Sequence, residues 1–176
     1  TGHSNAFIGF KAGEKNTTGF SNAFIGQQAG RANLTGKTNV MIGRRAGFAS
    51  ATGDDNVFIG HLAGQTSNGG SSNTYLGSGA DGMASLVNAS AIGANAMVMQ
   101  DSALILGNSA KVGIGTGTPD ADLHLIGSGH IEGDLWIEGG GLKDGTGSLG
   151  TSGQVLTSDG VNVVWASGGA GSTGPT

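Results

Sequence analysis

The chain has no cysteine, so neither a disulfide nor a thiolate metal site holds it together. Of its 176 residues only 2 are proline, which leaves most of its turns to another residue. Charged side chains make up 11% and aromatic ones 5%. That is far less charge than an ordinary globular surface carries. No apolar run approaches the ~20 residues of a membrane span, and direct membrane insertion of this segment is not expected. Disorder is a poor reading too, since a disordered chain is richer in charge and poorer in Ile, Leu and Val.

Glycine is what abounds: 37 residues, roughly three times the ordinary share. Charge is unevenly spread. Residues 1–50 carry Lys11, Lys15, Arg31, Lys37, Arg44 and Arg45 against one acid, Glu14. Residues 51–176 hold Lys111 and Lys143 against eleven acids, and the net charge is −4. An acidic chain with few basic residues disfavours nucleic acid as a partner.

The glycines keep time. "NAFIG" at 5–9, "NAFIG" at 22–26, "NVMIG" at 39–43, "NVFIG" at 56–60 and "NTYLG" at 73–77 follow one another at a constant step of 17. Asn5, Asn22, Asn39, Asn56 and Asn73 form one column. Gly9, Gly26, Gly43, Gly60 and Gly77 form a second, with Ile8, Ile25, Ile42, Ile59 and Leu76 beside it. "AG" recurs at 12–13, 29–30, 46–47 and 63–64, and "TG" at 18–19, 35–36 and 52–53, with Gly69-Gly70 in the next place. Helical repeats are longer, and this much glycine would weaken them. A β-solenoid fits: one repeat is one coil, and coils stack at the strand spacing of ~4.8 Å.

Each column then has an expected task. The asparagines bond backbone at a bend, the glycines supply positive φ or close approach, and the Ile/Leu column fills the interior. Phe7, Phe24, Met41, Phe58 and Tyr75 are adjacent to that column in sequence, so they face the opposite way. A thin coil with apolar groups on both strand faces needs partners. The aromatic column is therefore expected to pack between three chains about a common axis. The first residues already lie inside a repeat, which points to a piece of a longer protein whose start, with any export signal, lies outside it.

After residue 80 the beat shortens. "SAIGANA" (90–96) and "LILGNSA" (104–110) place Ile92 and Leu106 a step of only 14 apart, and "VGIGTGTP" follows at 112–119. "SAIGANAMVMQDSALILGNSA" resembles the head repeats of trimeric autotransporter adhesins. The "NAFIGxxAG" units resemble repeats of bacterial surface fibres and phage tail fibres. "KVGIGTGTPDADLHL" (111–125) is similar to a linker module of such fibres, and "GTSGQVLTSDGVNVVWAS" (150–167) to another of their segments. The resemblance implies left-handed β-rolls assembled as parallel homotrimers, extracellular display on a bacterial surface or a phage fibre, and adhesion. It carries over no catalytic residue.

In the last third, "HIEGDLWIEG" (130–139) alternates as a half-buried strand, with Ile131, Leu135 and Ile137 on one side and Glu132, Asp134, Trp136 and Glu138 on the other. "QVLTSDGVNVVWA" (154–166) reads as a hairpin turning at Asp159-Gly160. Both suit a trimeric β-prism or a short β-helix. Gly168, Gly171 and Gly174 recur at every third position, as a collagen-like stalk or a plain linker would have them.

Chemistry is sparse. His3, His61, His124 and His130 are scattered, and none pairs with another at zinc-binding spacing. Asp54-Asp55 reads as a corner rather than a calcium loop, and Asp134 with Glu138 lacks a surrounding cleft for glycoside hydrolysis. "VGIGTG" has neither the helix nor the Lys-Ser/Thr of a phosphate loop. The single Thr rank beside the "TG" glycines falls short of the two ranks an ice-binding face needs. No cofactor, metal or catalytic residue is expected, and an enzyme is not expected. Binding is expected where the fold leaves the sequence free: the pairs after each "IG", namely Phe10-Lys11, Gln27-Gln28, Arg44-Arg45 and His61-Leu62, continued by Ser78-Gly79. Stacked along one edge, they suit a cell-surface glycan or another anionic surface.

The sequence thus reads as an all-β solenoid. Residues 1–83 carry the 17-residue coils and 84–110 the adhesin-head-like β-roll repeats. A neck or linker follows at 111–127, a strand-and-hairpin segment at 128–167 and a Gly-rich or collagen-like linker at 168–176. The function it suggests is a stiff, multivalent segment of a trimeric extracellular fibre. The competing reading is a monomeric solenoid that binds ice or polysaccharide, or degrades a glycan.

Overall fold

The computed structural model describes residues 2–132, 134, 142–143, 147–152, 154–158 and 163–167. Two compact units divide between Ser128 and Gly129. The first is a β-solenoid. Its coils each contribute one short strand: β1 (Ala6–Ile8), β2 (Ala23–Ile25), β3 (Val40–Ile42), β4 (Val57–Ile59), β5 (Thr74–Leu76), β7 (Ser90–Ile92) and β9 (Leu104–Leu106). These seven pair in parallel and in chain order. Seven strands stacked at ~4.8 Å rise roughly 29 Å along the coil axis. A second ladder joins β6 (Asp81–Gly82) to β8 (Met97–Val98), and β10 (Val112–Ile114) pairs in parallel with β11 (Leu123–Leu125). Among the described residues there is no helix.

Register is by identity. Phe7 lies beside Phe24, then Met41, Phe58 and Tyr75, each one full repeat further along the chain. The next partners in the column are Ala91 and then Ile105. The step falls to 16 between Tyr75 and Ala91, as between Asn73 and Ala89 beside them, and to 14 after that. The sheet therefore runs unbroken across the boundary expected between residues 83 and 84, and only its step shortens. The large side chain of the column gives way to Ala91, with Ala96 and Val98 also in the core, and Ile105 packs against it in the next coil.

The two apolar columns face opposite ways, as alternation requires, but the expected assignment of faces is reversed. Phe24, Met41, Phe58 and Tyr75 are wholly buried inside the coil, and Phe7 is partly buried in the first. Ile8 is 61% exposed, Ile25 37%, Leu76 43% and Ile92 36%, with Ile42 and Ile59 half-buried. The interior column is thus the aromatic one, and the Ile/Leu column is external. The reason lies across the coil from each ring. Gly13, Gly30 and Gly64 sit at φ +60°, +56° and +61°, and a Cβ on any of them would come 2.5 Å from the ring of Phe7, Phe24 or Phe58. The "AG" half-unit leaves the hollow that the ring fills. A coil this small hides one large side chain per turn, and the rings stack along the axis: Phe7 on Phe24 at 4.9 Å and Phe58 on Tyr75 at 4.7 Å between centroids. Burying one such side chain contributes about 1.5–3 kcal/mol.

The asparagines also do more than turn a local bend. Each amide oxygen accepts the backbone N–H of the corresponding residue one coil later. Asn5 accepts from Asn22 at 2.9 Å, and the series continues through Asn39, Asn56 and Asn73 to the N–H of Ala89. Each amide nitrogen donates to a carbonyl at the "TG" corner: Asn5 to Gly19, Asn22 to Gly36, Asn39 to Gly53 and Asn56 to Gly70, all at 2.8 Å. Asn22, Asn39, Asn56 and Asn73 are buried, so this ladder satisfies groups that water cannot reach.

The second unit contains the hairpin read from the sequence. β12 (Gln154–Ser158) runs antiparallel to β13 (Val163–Ser167), with Leu156 opposite Trp165. Trp165 donates its indole N–H to the Ser148 carbonyl at 2.9 Å, and Gly150 lies so near the ring that a Cβ would come within 2.6 Å. The expected turn at Asp159-Gly160, the strand residues Leu135 to Glu138 and the glycines 168, 171 and 174 lie outside the described residues.

Candidate functional site

Each expected edge residue sits at the corner that follows a strand. The glycine that opens this corner adopts φ of +130° to +140° in Gly9, Gly26, Gly43, Gly60 and Gly77. A Cβ on any of these would lie 2.3 to 2.6 Å from the carbonyl oxygen of the glycine one coil on. The second residue of each pair is left-handed: Lys11, Gln28, Arg45 and Leu62 have φ of 57°, 60°, 58° and 61°. Its N–H donates to the carbonyl of the first pair member one coil back, Gln28 to Phe10 at 2.8 Å and Arg45 to Gln27 at 2.8 Å. The pairs therefore stack in two ranks along the axis.

In the outer rank Phe10, Gln27, Arg44 and His61 are exposed. Arg44 joins its neighbours, with Nε donating to Gln27 Oε1 at 3.3 Å and Nη1 3.0 Å from His61 Nε2. In the inner rank the Arg45 guanidinium lies 4.3 Å from the centre of the Phe48 ring. Leu62 and Gln28 are half-buried and Lys11 is exposed.

A third rank, three positions further along each coil, escaped the sequence reading: Glu14, Arg31, Phe48 and Gln65. Backbone bonds from Lys15 to the Arg31 carbonyl and from Ala32 to the Phe48 carbonyl keep it in step. Arg31 lies 5.6 Å from the Phe48 ring centre and pairs with Glu14 at 2.6 Å, while Lys11 reaches the other Glu14 oxygen at 3.1 Å. The Arg31 hydrogen bond above all, then Lys11, holds the Glu14 carboxyl below its ordinary value. The signal was present in the sequence. The constant period sets residue 31 beneath 48, and a corner turning between positions 45 and 48 brings those ranks together.

The other candidates settle into structural places. Asp54 accepts the Lys37 N–H at 2.9 Å and pairs with its ammonium at 3.5 Å, and Asp55 accepts from the Thr38 hydroxyl. His3 stacks on Phe20 at 5.1 Å, and His124 lies 2.8 Å from Asp120. Among the described residues no three His, Asp or Glu side chains converge as a metal site, and no pocket opens. Among them, too, no helix is long and apolar enough to cross a membrane.

The fold defines a class, the β-solenoid repeat proteins. No protein-family model matches the chain, and no curated protein and no solved structure matches it.

Proposed function

We propose that this chain is a structural and adhesive segment of a trimeric extracellular fibre, a stiff element that presents each weak contact three times. One observation carries the reading: the outward face of the seven-stranded sheet is an unbroken aliphatic stripe. Ile8, Ile25, Ile42, Ile59, Leu76, Ile92 and Leu106 stack in register, and Val40, Val57 and Leu104 flank them on the same face. A contiguous apolar surface of this kind is rare on a monomer and marks an interface. It follows the coil axis, so chains that share it lie lengthwise along one another, and the resemblance to trimeric fibres implies that they run parallel. Three chains is the number implied by the resemblance to trimeric fibres, which also supports display outside the cell and a β-prism arrangement of the last third. The contact face is the Ile/Leu column; the aromatic column is committed to the core.

The multivalent edge gives such a fibre its grip. Three copies of a weak site on one stiff support raise avidity without any new contact. Sedimentation of the purified chain tests the assembly. A mass near three times 17.2 kDa is expected, and a monodisperse monomer at micromolar concentration would overturn it in favour of a solitary solenoid that binds ice or polysaccharide.

A further inference from the structure

We propose that the corner formed by the first four coils is a binding site for an anionic polysaccharide, a chain bearing sulfate or carboxylate groups along its length. The inference rests on the adhesive reading above and names its ligand class. Four cations line it: Lys11 from the first coil, Arg31 from the second, and Arg44 and Arg45 from the third. One carboxylate, Glu14, lies among them and is engaged by Arg31 and Lys11. Among the described residues neither Arg44 nor Arg45 forms an ion pair. The chain as a whole carries −4, so this concentration of positive charge runs against the net charge around it.

The cations are also held. Phe48 has Arg45 at 4.3 Å and Arg31 at 5.6 Å from its ring centre. A guanidinium stacked on a ring keeps its in-plane N–H donors for an oxyanion. The Nε of Arg45 is buried and has no acceptor among the described residues. Arg44 is fixed between the Gln27 amide and the His61 ring. Side chains ordered in advance lose less entropy when a ligand arrives. Each coil advances the corner by ~4.8 Å, so the cations are strung along the axis instead of converging on one point. With no pocket among the described residues, the surface suits an extended chain of charges over a single enclosed ion. Gln27 and His61 add hydrogen-bonding groups for sugar hydroxyls.

Titration calorimetry on the full chain with a heparin dodecasaccharide, a hyaluronan oligosaccharide and neutral dextran tests this at low ionic strength, where exposed charges are least screened. Heparin is expected to bind and dextran not to. Hyaluronan binding comparable to heparin assigns carboxylate recognition, and heparin binding alone assigns sulfate; either supports the site. Arg44→Ala with Arg45→Ala should weaken heparin binding at least ~tenfold, the equivalent of about 1.4 kcal/mol. Lys111→Ala with Lys143→Ala, which removes the same charge elsewhere, should change it far less. Arg44→Ala alone, at an exposed position, guards against loss of folding in the double variant and should also weaken binding. Glu14→Gln should tighten binding, since it frees Arg31 and Lys11. Equal loss in the two double variants, dextran binding as tightly as heparin, or no heparin binding would each overturn the site. A trimer that ignores heparin sinks this inference alone, whereas a monomer that binds it sinks the assembly and leaves the site standing.

Discussion

Gly30 sits at φ +56° with the Phe24 ring where its side chain would be. Alanine there meets two penalties. The left-handed backbone costs an L-residue about 1–2 kcal/mol, and forcing a methyl against a packed ring adds about 1–3 kcal/mol. Gly30→Ala should lower the urea midpoint accordingly. Combining it with Phe24→Leu should cost less than the two changes summed, because the smaller side chain yields the space. Strict additivity would show that ring and glycine do not share that hollow. Tyr75 offers a second test. Burial above all raises its phenol above the ordinary 10.0, and the Asp81 charge pushes it the same way; the buried hydroxyl has no hydrogen-bond partner among the described residues. The folded state therefore favours the neutral phenol. Stability is untouched below pH 10 and falls as pH rises from there towards the folded-state value, because the unfolded chain ionises first. Tyr75→Phe should abolish this alkaline loss, measured as melting temperature against pH, and a phenylalanine already fills the same place in three other coils. An identical alkaline decline in the variant would mean the phenol is solvated.

At the scale of the coil, the asparagine ladder joins each turn to the next. Asn39 accepts the Asn56 N–H at 2.9 Å and donates to the Gly53 carbonyl at 2.8 Å, wholly buried. Asn39→Ala strands both partners away from water, at about 1–3 kcal/mol for each buried unpaired group. Urea unfolding should register that loss, and a cost near that of an exposed substitution would show that water reaches the ladder. Much at this scale was legible in the sequence. Five columns in step specify coils, their spacing and their register, and Asp-Gly between two β-rich runs specifies the hairpin. What alternation leaves undecided is which face lies inside. "AFI" puts Phe and Ile on opposite sides without ranking them, and Ile is as often buried as Phe. Two features resolve it. The asparagines share a face with the aromatic residues, two positions apart, and a residue this strictly placed has backbone to satisfy. The small Ala-Gly pair, five and six positions after Phe7, Phe24 and Phe58, is the far wall of the cavity each ring needs. The cationic corner was half legible for a similar reason. Stacking by the repeat found the pairs, but Arg31 and Phe48 join Arg45 only once the bend between two ranks is known.

For the molecule, the same reversal of faces separates two substitutions that look alike. Phe58→Asp places a charge in the core of the coil, where burial without a partner costs several kcal/mol, and should unfold the solenoid. Ile25→Asp with Ile59→Asp charges the external stripe and should leave the coil folded while dissociating the proposed trimer. Circular dichroism and sedimentation together distinguish these outcomes. If the isoleucine pair stays trimeric, the stripe is not the contact. The in-register stacking has one more consequence. Through the first five coils each turn offers its successor the same amide, large apolar side chain and glycine that it received from its predecessor, so there the stack can be edited in whole coils. Excising residues 39–55 would bring Asn56 onto Asn22 and Phe58 onto Phe24, shortening the stack by one notch of ~4.8 Å with every junction native in kind. A change of coil length between strands has to be absorbed at a corner, as it is where the step falls to 16 and then to 14 while the strands stay paired. Such a design lets reach be tuned by copying or dropping a module, with no new folding problem to solve at each length.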